Sequence, residues 1–180
     1  MRVITGKARG VQLKTPDGMA TRPTTDRVKE ALFSIIQFEI PGAAVLDLFG
    51  GTGQLGIEAL SRGAKSAVFV DAGEPACRLI RENLKRTKLE ADAKVVRSDY
   101  LTYLKRCRET FQIIFLDPPY AEVFLENALK CITEIDILQS GGIRVAERPL
   151  GKELPWEFEG YTRSKDYKYG NTLLTVYRKQ

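Results

Sequence analysis

Two short stretches of this chain concentrate residue types that can do chemistry. The first runs Asp47-Leu48-Phe49-Gly50-Gly51-Thr52-Gly53 and continues as Gln54-Leu55-Gly56. Gly51 to Gly56 fits G-x-G-x-x-G, after a strand-like run and before a helical one. Asp71 follows Gly51 by twenty residues, at the end of the next strand-like run. Such a pattern brings a ligand close to bare backbone at a helix start and offers a carboxylate to a ribose diol. The plain alternative is a tight strand-to-helix turn that holds nothing. Asp47 helps to choose the ligand. A pyrophosphate arriving there would meet a carboxylate, whereas the sulfonium and α-ammonium end of S-adenosylmethionine (SAM) would be attracted, directly or through water. No P-loop lysine is present, which disfavours nucleoside triphosphate hydrolysis.

The second stretch is Asp117-Pro118-Pro119-Tyr120, directly after an apolar run. Asp117 and the Pro118 carbonyl are acceptors that can hold an exocyclic amino group and turn its lone pair toward an incoming methyl. The prolines fix the carbonyl direction because their φ is locked. Tyr120 offers a flat face to a base turned out of its stack. Alone, D-P-P is also a strand-capping turn. Paired with DLFGGTG, it points to methyl transfer to a planar amine. The sulfonium is already a good leaving group, so alignment supplies most of the rate. The amine itself could belong to guanine, adenine or cytosine.

The rest of the composition narrows the field. The chain has 180 residues, 43% of them hydrophobic and 28% charged, enough for one domain with a core. There is no histidine, which removes Ser-His-Asp and Cys-His hydrolases and His-ligated metals. Cys77, Cys107 and Cys131 are odd in number and far apart, fit no zinc or disulfide spacing, and suit a reducing cytoplasm. No metal is expected. No apolar run approaches the ~20 residues of a membrane helix, and MRVITGKARG has no apolar signal core.

Both motifs need a scaffold that brings them together. The spacing predicts short strands at Arg2–Thr5 and Val11–Lys14 around GKARG, and a helix that starts at Thr24-Thr25-Asp26. Strands at Ala43–Leu48, Ser66–Val70, Lys94–Arg97, Ile113–Leu116 and Ile143–Ala146 then alternate with helices at Leu55–Arg62, after Pro75, at Tyr100–Arg108 and at Phe124–Ile132. A hairpin, Tyr161–Lys168 and Thr172–Arg178, closes the chain around Gly170-Asn171. Such alternation predicts an α/β three-layer fold, a mainly parallel sheet with helices on both faces and one antiparallel strand. If the first and fourth strands are neighbours, DLFGGTG and DPPY face each other across one crevice. The organisation expected is a basic hairpin extension over residues 1–20 and one catalytic domain over 21–180.

Charge is unevenly placed. Residues 1–30 carry seven bases against three acids, and residues 161–180 five against one. Each flank is therefore +4 and the middle −3, for a total of +5. Basic flanks around an acidic centre suggest a polyanionic partner held by Arg2, Lys7, Arg9, Lys14 and Lys168. The bland reading is solvated surface. It is preferred for Arg78, Arg81, Lys85, Arg86 and Lys88, as core packing is for Cys77, Cys131 and Trp156.

Nearly the whole chain resembles the RsmD family of 16S rRNA guanine-N2 methyltransferases. The likeness runs through VITGKARGVQLKTP, RPTTDRVKEALFSII, VLDLFGGTGQLGIEALSRGA, FVD, FLDPPY and KYGNTLLTVYR. It implies a SAM-dependent methyltransferase (Rossmann-like) fold with seven strands, the last antiparallel. It further implies that Asp47, Phe49, Gly51 and Gly53 surround the methionine half of SAM. Asp71 would take the ribose hydroxyls, Asp99 with Tyr100 the adenine side, with Ala72 also among the cofactor-binding residues, and Arg22, Thr24 and Thr25 would close over the cofactor. Asp117, Pro118, Pro119 and Tyr120 would be catalytic. Asp71-Ala72-Gly73 departs from relatives that often carry Glu and a polar residue there. The partner implied is small-subunit ribosomal RNA, with the protein a cytoplasmic monomer.

Three other readings compete, and a fourth, a pyrimidine C5 methyltransferase, is rejected. A DNA adenine-N6 or cytosine-N4 methyltransferase usually carries a target-recognition insertion, for which there is no room. A dinucleotide oxidoreductase is disfavoured by Asp47 and DPPY. A non-catalytic RNA-binding assembly factor has little reason to keep Asp117 beside a glycine loop. A pyrimidine C5 methyltransferase needs a nucleophilic cysteine, and neither motif contains one.

Overall fold

The computed structural model describes residues 1–17, 23–119, 121–151, 153–154 and 158–180; for 23–25, 121, 122 and 165 it describes the backbone alone. Arg22, Tyr120 and Trp156 lie outside the described residues, as do the side chains of Thr24 and Thr25.

Apolar runs that must be covered on both faces build the sheet. Strands β1 (Ala44–Asp47), β2 (Ser66–Asp71), β3 (Ala93–Arg97), β4 (Phe111–Leu116), β5 (Leu138–Pro149), β6 (Tyr161–Tyr169) and β7 (Thr172–Lys179) form one sheet in the order β3-β2-β1-β4-β5-β7-β6. From β3 across to β5 the pairs are parallel, and β7 runs antiparallel to β5 and β6. The expected single antiparallel strand is β7, inserted between β5 and its own hairpin partner.

Helices α1 (Pro23–Ile35), α2 (Gln54–Ser61) and α3 (Glu74–Thr87) cover one face, and α4 (Tyr100–Arg106) and α5 (Ala121–Ile135) the other. Alternate strand residues serve alternate faces. Val45, Phe69, Phe115 and Val145 pack with Leu32, Phe33, Ile57 and Ile80 on the first face. Leu46, Val68, Leu116 and Ala146 pack with Leu104, Leu125 and Leu129 on the second. Cys77 and Cys131 are buried helix positions, as expected.

Two elements differ from the sequence reading. The strands expected at Arg2–Thr5 and Val11–Lys14 form a short antiparallel pairing around the bridge of Arg2 with Gln12, in which Val3 N–H donates to Val11 O, Gly10 N–H to Val3 O and Leu13 N–H to Met1 O. The amides of Ile4 and Thr5 bond to the Glu58 carboxylate, and those of Lys7 and Ala8 to the backbone and side chain of Ser61. The segment is therefore sewn to α2, and Val3, Ala8 and Leu13 enter the first core. Strand β5 also begins earlier than expected, because a register shift lets Leu138 pair with Phe111 before Ile143 pairs with Ile113. Gly141, at φ 75°, lies inside that irregularity.

Candidate active site

Strand order reverses at β1, which has β2 on one side and β4 on the other. The carboxyl ends of β1 and β4 therefore open onto one crevice, the usual ligand position in such a sheet. Both sequence motifs begin at this rim. The loop after β1 is tied to both neighbours: Leu48 N–H donates to Phe115 O at 3.2 Å and Gly50 N–H to Val70 O at 2.8 Å.

The glycines act in two ways. Gly51 and Gly53 have φ of 60° and 82°, a left-handed backbone that disfavours side chains. A Cβ on Gly51 would meet nothing closer than Phe49 O at 4.0 Å, so the loop leaves open space at that point. A Cβ on Gly56 would stand 2.3 Å from the Phe69 ring, so this glycine lets α2 lie close on the sheet.

Four carboxylates gather at the same rim. Asp47, Asp71, Asp117 and Glu147 continue the alternation of Val45, Phe69, Phe115 and Val145, and so share the face covered by α1–α3. Asp47 is 1% exposed and accepts a hydrogen bond from Gly56 N–H at 3.1 Å. Burial pushes it up to about 8 despite that bond, and the nearby charges of Asp117 and Asp71 add to the rise. Asp47 therefore sits beneath the loop rather than lining it. Asp117 is pushed up to about 6 by burial, and Glu147 to about 8 by burial and by Asp117. Among the described residues no cation pairs with Asp47, Asp117 or Glu147. Nor is there a group of acids among them that could hold a metal ion. Uncompensated carboxylates of this kind suit a positively charged ligand. The residues thus fit the sulfonium end of SAM.

Asp71 holds the glycine loop as well as facing the crevice. Its Oδ2 accepts from Gly51 N–H at 3.0 Å and its Oδ1 from Gly73 N–H at 2.9 Å. Ala72 is exposed beside it. Asp99 is the N-cap of α4 and accepts from Thr102 N–H at 3.1 Å. Its carboxylate is thus already occupied in holding a helix start. The Tyr100 ring lies between Phe49 at 5.1 Å and Phe124 at 5.3 Å, an apolar wall for a flat ring. Pro118 is buried and Pro119 exposed.

The basic positions are not brought to one point of equal freedom. Arg2 stands 3.9 Å from Asp26, and Lys14 pairs with Glu82. Lys7 and Arg9 are exposed with no ion pair among the described residues. Lys168 is exposed on β6, the strand at the sheet edge. Arg78, Arg81, Lys85, Arg86 and Lys88 form an exposed face of α3 and its end.

Three residues of consequence have no sequence signature. Glu147 joins the rim only through the β4–β5 register, which pairs Leu116 with Ala146. Glu58, fully buried, binds Ile4 and Thr5 amides and stands 3.5 Å from the buried Lys29 ammonium. Asn83 accepts from Lys14 N–H at 2.7 Å and donates to Lys14 O at 3.0 Å and Thr52 O at 2.9 Å. A polar residue at helical spacing suggests only surface, and no local signal distinguishes these.

Comparison with known proteins agrees with this geometry. The family model described as "Conserved hypothetical protein 95" matches residues 1–178. The Bacillus subtilis protein YlbH is 43% identical over the full length of both chains. Ribosomal RNA small subunit methyltransferase D of Escherichia coli is 31% identical, covering 100% of this chain and 90% of its own. The solved structure of the Escherichia coli protein yhhF superposes with a TM-score of 0.90 at 31% identity, covering 100% of this chain and 98% of that one. The fold is that of SAM-dependent methyltransferases, and the chain belongs to the conserved hypothetical protein 95 family, the RsmD family.

Proposed function

We propose that this protein transfers a methyl group from SAM to the exocyclic N2 amino group of a guanine in small-subunit (16S) ribosomal RNA. The observation that carries the reading is the shared rim: the glycine loop after β1 and Asp117 after β4 open onto one crevice, with Glu147 beside it and Asp47 beneath the loop, none of the three paired with a cation among the described residues. The full-length relative in Escherichia coli carries ribosomal RNA small subunit methyltransferase in its name, which supports the substrate class.

When bound, SAM supplies an electrophilic methyl on a positively charged sulfur. The chain's residues do the rest. The open space above Gly51 admits the cofactor's backbone-facing side, and Asp47 and its acidic neighbours make the site attractive to its charge. Asp71 is placed for the ribose hydroxyls, and the Phe49–Tyr100 wall for adenine. Arg22, Thr24 and Thr25 belong to the segment that enters α1, and we assign them to closure over the cofactor. Asp117 and the Pro118 carbonyl hold the two N2–H bonds, which directs the nitrogen lone pair in line with the methyl–sulfur bond. The N2 amine would shed one proton on methylation, the sulfur leaving with its bonding pair, and Asp117 would accept that proton. A carboxylate raised to about 6 suits that acceptor role near neutral pH. Tyr120 provides a stacking face for the extruded base.

The basic N-terminal segment, through Lys7 and Arg9 above all, holds phosphate. Residues 1–20 act as an RNA-holding extension on the methyltransferase domain of 21–180. A cytoplasmic monomer acting on the small subunit or its assembly intermediate completes the reading. Among the described residues no helix is long and apolar enough to cross a membrane.

The test is to incubate the protein with labelled SAM and small-subunit ribosomal RNA or particles, digest the RNA and identify the product by mass spectrometry. N2-methylguanosine is expected. N6-methyladenine formed in DNA instead would move the assignment to a DNA amino-methyltransferase.

A further inference from the structure

DPPY can hold an amino group but does not say which base carries it. Resting on the methyl-transfer reading above, we propose that Glu147 selects guanine by accepting its N1–H, beside the N2 amino group held by Asp117 and Pro118.

The placement follows from register. Leu116 pairs with Ala146 as the last pair of the parallel β4–β5 ladder, so Asp117 and Glu147 follow directly on adjacent strands, close enough that the Asp117 charge acts on Glu147. Both lie on the face shared with Asp47 and Asp71. Across the sheet Glu147 pairs with Leu174, a fully buried core residue. A core-facing glutamate at the crevice end of a strand is costly unless something donates to it.

Among the described residues no structural partner explains it. The neighbouring cations of β5 are engaged elsewhere. Arg148 donates to Asp166 at 2.9 Å, and Arg144 donates to Leu129 O and Thr133 Oγ1, both at 2.8 Å. The Glu147 side chain forms no hydrogen bond or ion pair with any described residue.

Base chemistry supplies the donor. Guanine presents N1–H directly beside N2–H, so two adjacent acceptors match its edge. Adenine presents an unprotonated N1 beside its amino group, and cytosine an unprotonated N3. Against an ionised Glu147 each would set lone pair to lone pair, whereas the acid form could donate to that nitrogen, so the discrimination belongs to the ionised carboxylate, which burial delays to about pH 8 in the free protein. Sites built to bind a specific donor reject analogues lacking it strongly, because the buried acceptor is left unpaired.

The experiment uses 2-aminopurine, which keeps the exocyclic 2-amino group but has an unprotonated N1. The wild-type protein with labelled SAM first maps the methylated nucleotide in small-subunit RNA. A methylated adenine or cytosine at this step overturns the underlying reading, and this proposal with it. RNA carrying guanine or 2-aminopurine at the mapped nucleotide is then compared. Above about pH 8, where Glu147 is ionised, the wild type should prefer guanine by roughly 10²-fold or more in kcat/KM. Glu147→Gln, whose amide can donate to the unprotonated N1, should lose at least ~10-fold on guanine but not on 2-aminopurine, so the preference collapses. Glu147→Asp, tested for the same ratio, should retain a preference for guanine at a reduced rate. S-adenosylhomocysteine, which carries no sulfonium charge, should still bind both variants, and neither should melt below the wild type; Glu147→Gln, which removes a carboxyl group whose ionisation burial opposes, should melt higher. An equal loss on both bases, or an unchanged preference in Glu147→Gln, would overturn the assignment.

Discussion

The backbone amide of Gly51 donates to the Asp71 carboxylate across 3.0 Å, joining two loops that lie twenty residues apart. The other oxygen of Asp71 accepts from Gly73. Asp71 therefore shapes the glycine loop and keeps spare lone pairs for a ligand, since each carboxylate oxygen can accept more than once.

Asp71→Ala removes both contributions. S-adenosylhomocysteine affinity should fall by about 10- to 100-fold, the range of a missing charge-assisted hydrogen bond. Asp71→Asn retains one acceptor and should fall less. Calorimetric titration distinguishes the two, and unchanged affinity in the alanine variant would remove Asp71 from the cofactor site.

Asp117→Ala should leave the fold and most of the SAM affinity intact while lowering turnover by roughly 10²-fold or more, because the amino group loses its orientation and its proton acceptor. Single-turnover methyl transfer is the measurement. A rate equal to that of the wild type would exclude the role.

The rim acids predict a pH dependence of definite sign. Asp47 and Glu147 stand at about 8 and Asp117 at about 6, all above the ordinary range near 4. The folded protein thus binds more protons than the unfolded chain from about pH 4 to 8, and its stability should fall as pH rises across that window. A cationic ligand favours the ionised acids, so SAM binding should release protons and tighten between about pH 6 and 8. Thermal melts of the free protein, and calorimetry in buffers of different ionisation enthalpy, check each half. Proton uptake on binding would contradict the scheme.

Neutralising Arg2, Lys7, Arg9 and Lys14 together should weaken ribosomal RNA binding and flatten its salt dependence, by up to about one counterion for each phosphate no longer neutralised. Arg2 and Lys14 already face Asp26 and Glu82, so Lys7 and Arg9 should account for most of the change. SAM affinity should stay within about twofold. Filter binding at several salt concentrations measures the slope, and an unchanged slope would leave the segment as surface only.

Much of this architecture was legible in the residues. Apolar runs of strand length separated by helical periods predict the β1–β5 series, and DLFGGTG and DPPY meet because β1 and β4 are neighbours. What was not legible depends on contacts between distant segments. The first sixteen residues read as a hairpin, and Val3 with Val11 and Met1 with Leu13 do bond across it, but the sequence does not show that Glu58 and Ser61 take the remaining amides and tie the segment to α2. Asp99, which the resemblance assigns to the adenine side, is also the N-cap of α4, a use that depends on where the helix starts. Glu147 carries no motif around it, and only the pairing of Leu116 with Ala146 puts it beside Asp117.

Asn83 has a wider consequence. One amide side chain holds the backbone of Lys14, within the basic segment, and the carbonyl of Thr52, within the glycine loop. On the proposed reading, in which the segment holds RNA and the loop holds the methyl donor, Asn83 is a mechanical joint between the two grips. A shift of the segment on RNA that reached the loop through it would couple the two sites, and linkage would make the effect reciprocal: whatever factor RNA added to cofactor affinity, the cofactor would return to RNA.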